Sequence, residues 1–292
     1  MMMSQIQVVR PRNLADALRL LDDAAVDAPL RPMAGCTDVL VDLHFGKPAP
    51  AQLIDLWALR GELGGVRWSS EGLHIGALCT YAEAVSHQRF RDQLPMLTQA
   101  SLLVGATQIQ FRGTFAGNVE NGSPAADATP ALMALDARVR LVSAAGARDV
   151  ALADYYTGYR QTQRKANEII ESLLVPAARL GCAGQWMRKV GTRAYQAITK
   201  VGVCAIFDWH NGRLSDPRVV AVSMAGTLRR CTHIEAYLNG KRRDDMNGTE
   251  LRAAQALDLQ PIDDVRSTAD YRAEVFARLV EQGLRETSGR GG

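Results

Sequence analysis

Three observations predict an α+β protein in two parts. Helix-period and strand-period apolar patterns mix over roughly the first 180 residues, then break around Val175-Pro176-Ala177-Ala178. Beyond the break, two apolar runs flank Asn211-Gly212 before the chain turns helical, a strands-then-helices order that suits a separate α+β module. The 292 residues accommodate about two domains, drawn here as 1–180, with subdomains of about 1–60 and 61–180, and 181–288.

The elements follow in order. Asn13 precedes apolar Leu14, Ala17, Leu18 and Leu21, with Asp16 in the first turn, which predicts a capped helix over 14–22. A loop at Asp27–Pro29 leads to a short strand at Arg31–Ala34, a helix from Val39 ending near Gly46, and a strand at Gln52–Leu56. After a Gly61–Gly65 turn, Leu73, Ile75 and Ala77 alternate with His74 and Gly76 as in a half-buried strand, and Thr80 caps the next helix. Helices are expected over Pro95–Val104 and Ala125–Leu135, and a strand where Val139 and Leu141 alternate with arginines. The second part predicts a hairpin of Val201–Trp209 and Val219–Met224, helices over Thr232–Leu238, Leu251–Leu257 and Tyr271–Leu284, and a Ser288–Gly292 tail.

Composition narrows the function. Apolar residues at 47% and charged residues at 22% are a globular mixture rather than a disordered one. The 34 basic and 31 acidic residues leave +3, scattered along the chain, which gives nucleic-acid binding no footprint. No run approaches the ~18 apolar residues of a membrane span, and the opening Met-Met-Met-Ser-Gln is not a signal peptide, so a soluble, non-exported, cytoplasmic protein is expected. Cysteines at 36, 79, 182, 204 and 231 form no C-x-x-C pair, and the histidines no H-E-x-x-H. Resident iron–sulfur, zinc or haem chemistry is not expected, and the cysteines are read as buried free thiols in a reducing compartment.

Two loops join glycine to small hydroxyl residues beside an acid. The first is Arg31-Pro32-Met33-Ala34-Gly35-Cys36-Thr37-Asp38-Val39, between a strand and a helix, where converging backbone N–H groups can bind an anion. The second runs from Arg112 through Gly113-Thr114-Phe115-Ala116-Gly117-Asn118 to Asp127, a polar, glycine-punctuated loop with Ser123 as cap and Pro124 in the first turn of the following helix. Each alone is equally a tight turn with a capped helix; together they favour a bound phosphate compound. Neither is G-x-G-x-x-G or a P-loop, so a Rossmann or nucleotide-hydrolysing site is not supported.

These residues resemble the FAD-binding subunits of the molybdenum hydroxylases, which include xanthine dehydrogenases and the carbon monoxide dehydrogenase medium subunit. The family's A-G-G-T-D-[LV]-[LM] loop is matched by Ala34-Gly35-Cys36-Thr37-Asp38-Val39-Leu40, and its second loop by Thr114 through Asp127 in ungapped register. Gly158-Tyr159-Arg160-Gln161-Thr162 is similar to the G-Y-R-K-T of xanthine dehydrogenases and precedes an aliphatic strand, Glu168-Ile169-Ile170, ending at Pro176. Arg188-Lys189-Val190-Gly191-Thr192-Arg193 resembles the segment that opens the family's C-terminal domain. Cys36 and Ala116 stand where the family usually has glycine, and Gln196-Ala197 where it often has aspartate. Cys36 is a poor substitute if its position needs a positive φ. The cysteine-rich insertion of the hydroxybenzoyl-CoA reductase branch is missing.

The resemblance implies a two-subdomain FAD-binding fold of the PCMH (vanillyl-alcohol oxidase-like) type, followed by a smaller C-terminal domain with an antiparallel sheet and helices. It implies that Arg31 through Val39 cradle the pyrophosphate, that Thr114, Ala116, Gly117 and Asn118 hold the phosphates and ribityl chain, and that Asp127 binds a hydroxyl or the adenosine. It also implies cofactor contacts from Gly105, Glu120, Ile169 and Ile170, with Lys189 near the isoalloxazine. By ordinary tendencies Lys189 is instead a surface lysine, Tyr159 a packed aromatic and Cys36 a small filler. FAD is expected to be non-covalent, with NAD a possible acceptor. The molybdenum cofactor and [2Fe–2S] clusters are expected only on partners, a molybdopterin-binding large subunit and an iron–sulfur small subunit, in a heterotrimer or dimer of heterotrimers. Two other readings stay open: a stand-alone FAD-dependent oxidoreductase of the same fold, and a scaffold subunit without cofactor.

Overall fold

The computed structural model describes residues 6–24, 29–48 and 50–288. Strand β1 (Gln7–Val9), helix α1 (Leu14–Asp22), strand β2 (Leu30–Met33), helix α2 (Thr37–His44) and strand β3 (Gln52–Asp55) form a first unit. Its sheet is parallel, in the order β1-β3-β2, and parallel neighbours need the crossovers that the two helices supply. Helix α1 starts where expected because the Asn13 side chain accepts from the Asp16 N–H, and it buries Ala17 and Leu21 on a small core with Ile54 and Leu78. The expected Asp27–Pro29 loop lies outside the described residues except for Pro29.

Next come helix α3 (Arg60–Leu63), hairpin strands β4 (Val66–Trp68) and β5 (Gly72–Gly76), and helices α4 (Tyr81–Ser86), α5 (Gln88–Gln93), α6 (Pro95–Leu102), α7 (Thr107–Gln110), α8 (Phe115–Asn121) and α9 (Ala128–Ala134). Strands β6 (Arg138–Ser143) and β7 (Gly146–Ala151), a small hairpin of β8 (Tyr156–Gly158) and β9 (Gln161–Thr162), and strand β10 (Ile169–Pro176) complete this part. An antiparallel sheet in the order β4-β5-β10-β6-β7 backs the helices, and Thr80 caps α4 through a reciprocal capping box with Glu83.

Three local expectations need correction. Gly61 lies inside α3, so the turn narrows to Gly64-Gly65. The second glycine-bearing segment is a helix through much of its length, α8, because Thr114 accepts from the Gly117 N–H as N-cap and Gly122 ends it at φ 60°. Ser123 and Pro124 therefore do not open the following helix. They form a turn in which the Ala126 N–H donates to the Ser123 carbonyl, and α9 begins only at Ala128.

The remaining chain forms β11 (Gln185–Val190), β12 (Val201–His210), β13 (Arg213–Val222), β14 (Arg229–Arg230), and helices α10 (Thr232–Leu238), α11 (Gly248–Asp258) and α12 (Ala269–Thr287). The sheet is antiparallel in the order β11-β12-β13-β14, and Asn211 and Gly212, at φ 52° and 72°, make the expected tight hairpin turn. The continuous apolar run of β12 has a reason: Cys204 and Ile206 join the core beneath α9, while Val201, Val203, Ala205 and Phe207 face α12. Gly283 lets α12 approach closely, since a Cβ there would lie 2.8 Å from the Phe207 and Trp186 rings. Of the expected tail, only Ser288 is described.

Candidate functional site

The first loop leaves β2 and enters α2 with no side-chain cap, so the N–H groups of the first helical turn keep their donor capacity. Gly35 is required sterically: a Cβ would fall 1.7 Å from the Arg112 carbonyl oxygen, so only glycine lets this loop touch the second one. Cys36 sits at φ 64°, ψ 4°, the left-handed region where an L side chain is strained. Its half-buried thiol donates to Met33 Sδ at 3.2 Å, and burial raises its pKa. The cysteines are thus not uniformly buried: Cys79, Cys204 and Cys231 are, whereas Cys36 and Cys182 are intermediate.

The second segment is fixed by side chains. Asn118 Oδ1 accepts from both the Thr129 hydroxyl (2.8 Å) and its N–H (3.3 Å), which leaves the Nδ2 donor for a ligand. Glu120 accepts from the Tyr155 hydroxyl (2.7 Å), Thr162 (3.3 Å) and Arg164 Nε (2.7 Å), so it organises neighbours more than it offers free lone pairs. Asn121 couples the two motifs: its Nδ2 donates to Asp38 at 2.9 Å, and its Oδ1 accepts from Arg160 at 3.1 Å. Burial pushes the Asp38 carboxyl up, opposed by Arg160.

Both motifs open on one cavity of about 980 Å³. Its lining takes in Arg31, Pro32, Met33, Ala34, Gly35, Cys36, Thr37, Asp38 and Val39 from the first loop, and Thr114, Ala116, Gly117, Asn118 and Glu120 from the second. Asp127, the Gly105 turn at φ 53°, and Ile169 and Ile170 at the start of β10 complete the residues expected there. Lys189 is the exception. It does not line the cavity; its Nζ lies 2.8 Å from Asp127 Oδ2 behind the wall, and its side chain is only 10% exposed, so it is not a surface lysine either. Burial pushes the Asp127 carboxyl up, and Lys189 opposes that shift, so the lysine goes where a desolvated acid needs a countercharge.

Sequence reasoning missed part of the lining. Tyr159, at the tip of the β8–β9 hairpin, lines the cavity and is 64% exposed, not packed. Gln196, Ala197, Ile198 and Arg266 line it from the C-terminal part. Tyr159 belongs to the Gly158–Thr162 motif and the Gln196-Ala197 pair was unusual, whereas Ile198 and Arg266 carried no sequence signal.

The arrangement fits a dinucleotide. Glycine-permitted backbone approach, uncapped helical N–H groups and the Asn118 donor suit a pyrophosphate. A volume near the top of the roughly 300–1,000 Å³ range for ligand pockets suits a long cofactor. The two loops meet at Gly35 and Arg112 and through the Asn121–Asp38 bond, which defines a dinucleotide-sized site of the two-loop type.

Comparison with known proteins gives the same class. Residues 4–178 match the model of the FAD binding domain in molybdopterin dehydrogenase, and residues 186–287 match the CO dehydrogenase flavoprotein C-terminal domain. The chain belongs to this family, the FAD-binding medium subunits of molybdenum hydroxylases, whose members are oxidoreductase subunits. It is 26% identical over 284 residues to the carbon monoxide dehydrogenase medium chain of Afipia carboxidovorans, covering 96% of each chain. It is 26% identical over 278 residues to the xanthine dehydrogenase FAD-binding subunit of Escherichia coli O157:H7, covering 95% of this chain and 94% of that one. The fold matches a chain of reconstituted CO dehydrogenase from Oligotropha carboxidovorans with a TM-score of 0.91, at 24% identity and full coverage of both. The expected fold class therefore holds, as an FAD-binding domain followed by the C-terminal flavoprotein domain.

Proposed function

We propose that this chain is the electron-output subunit of a xanthine dehydrogenase-like molybdenum hydroxylase, taking electrons from [2Fe–2S] clusters on a partner and passing them to NAD or another acceptor. One observation carries the reading: two glycine motifs, about 80 residues apart in sequence, meet at Gly35 and Arg112 and open on a single dinucleotide-sized cavity. When bound, FAD supplies a redox centre able to take electrons singly and release a pair.

The chain's own residues bind and orient. The first turn of α2 and the Arg31–Val39 loop hold the pyrophosphate, Thr114 through Asn118 face it from the other side, and Asp127 accepts from a hydroxyl. Ile169 and Ile170 form an apolar floor, both being at least nine-tenths buried. Tyr159 and the Gln196–Ile198 segment stand at the exposed side, where an acceptor would arrive. In this reading residues 1–180 hold the cofactor and 181–288 close one wall. Large molybdopterin and small iron–sulfur partners complete a heterotrimer or a dimer of heterotrimers. Free cysteines suit a reducing compartment, so the proposed location is the cytoplasm, and among the described residues no helix is long and apolar enough to cross a membrane.

Reconstitution of the purified chain with FAD tests the proposal. The expected result is about one FAD per chain with an absorption band near ~450 nm, a colourless pellet after acid precipitation, and bleaching by anaerobic NADH. Absence of bound flavin would sink the cofactor reading, a yellow pellet the non-covalent one, and a band unmoved by NADH the choice of NAD.

A further inference from the structure

We propose that Lys189 is a positioning residue for the FAD site: it acts through Asp127, and that pair lets the C-terminal domain set the cavity wall formed by residues 123–127. The inference rests on the FAD reading above. Within residues 123–127 the local bonds run to Ser123, from the Ala126 N–H to its carbonyl and from the Ala125 N–H to its hydroxyl, and Asp127 gives α9 no side-chain cap. Pro124 and the Asp127 carboxylate are fastened from the other domain. The Ser223 N–H donates to the Pro124 carbonyl at 2.9 Å, Lys189 Nζ reaches Asp127 Oδ2 at 2.8 Å, and the Thr199 hydroxyl donates to Asp127 Oδ1 at 3.0 Å.

These bolts form one assembly. The Ser223 hydroxyl donates to the Thr199 carbonyl at 2.8 Å, and the Ser223 carbonyl accepts from the buried Arg272 guanidinium at 2.7 Å. Arg272 also holds Asp264 at 2.6 Å, and Arg266, which pairs with that aspartate, lines the cavity. Both Asp127 oxygens thus receive a donor from behind, which fixes the carboxylate plane and leaves its remaining lone pairs for a ligand hydroxyl. Without the lysine, a desolvated carboxylate must take a proton or swing toward water, and the wall loses its acceptor.

FAD titration of the purified full chain, followed by flavin fluorescence, separates this role from direct contact with the flavin ring. Lys189→Met is expected to weaken FAD binding about tenfold, and Lys189→Arg to return it to within about threefold of wild type. At saturating FAD, the visible spectrum and the sulfite affinity of the bound flavin stay at wild-type values in Lys189→Met, since the ammonium does not touch the ring. Wild-type FAD affinity in Lys189→Met overturns the proposal. So does a large fall in sulfite affinity, which would place the charge against the isoalloxazine. If Lys189→Met does not fold, Lys189→Gln, which removes the charge and keeps a polar side chain, is expected to weaken FAD by about threefold or more, and wild-type affinity there overturns it equally. Failure of the wild-type chain to bind FAD would instead defeat the cofactor reading on which the inference stands.

Discussion

Cys36→Gly offers a quantitative test of how the first loop is built. Cys36 is left-handed at φ 64°, and an L residue there costs about 1–2 kcal/mol. Glycine removes that strain but adds unfolded-state entropy worth about 0.5–1 kcal/mol. The half-buried thiol and its 3.2 Å contact with Met33 Sδ are lost in either a glycine or an alanine variant, so they cancel when the two are compared. Cys36→Gly should then be about 0.5–1 kcal/mol more stable than Cys36→Ala, a gap of roughly 1–3 °C in melting temperature. Thermal melts of the FAD-free chain are the appropriate assay, because bound cofactor stabilises both variants by mass action and hides the difference. An alanine variant as stable as the glycine variant would refute the argument from backbone strain.

Further outcomes follow from single contacts. Gly35→Ala must drive the two loops apart, since its Cβ would stand 1.7 Å from a carbonyl oxygen; a loss of about 3 kcal/mol in urea unfolding and abolished FAD binding are expected. Asn118→Ala strands the Thr129 donors and removes the Nδ2 group from the cavity, so about 1–3 kcal/mol of stability and measurable FAD affinity should go together in a melt and a titration. Hydrogen bonds from Arg148 hold the Glu168 carboxyl below its ordinary 4.5. Its contribution to stability is complete above that value and is lost as pH falls through the lower folded-state value, so Glu168→Gln should flatten the acid limb of a stability–pH profile and leave neutral-pH titration behaviour unchanged.

Much of this architecture was legible because local signals and the global fold agree. The Asn13 and Thr80 caps, the Asn211-Gly212 turn and the strand alternation around Leu73 each carry a short-range mechanism. The second motif misled for an equally physical reason. Glycine and asparagine in Ala116-Gly117-Asn118 weigh against a helix by propensity, yet the Thr114 cap and the burial of Phe115 and Val119 outweigh the cost. The left-handed backbone at Cys36 was foreseeable only through the glycine that the family usually has there, because a cysteine by itself signals nothing about φ.

The contribution of the C-terminal domain to the site was hidden because it is made by long-range charge pairing, which leaves no periodic trace in sequence. Asp136, itself left-handed at φ 52°, receives Arg179 at 2.6 Å, Arg218 at 3.0 Å and Arg230 at 3.2 Å. One carboxylate cannot balance three guanidinium groups, and the added acids complete the account: Asp216 pairs with Arg179 and Arg218, and Glu235 with Arg230. Arg218 and Arg230 lie on β13 and β14, so this hub fixes the orientation of the sheet that also carries Lys189 on β11 and flanks Thr199. Burying paired charges brings little net stability, but it penalises every arrangement in which a partner is missing. Two such junctions, at Asp136 and at Asp127, therefore specify how the domains meet, and with it where the wall of the cofactor cavity stands.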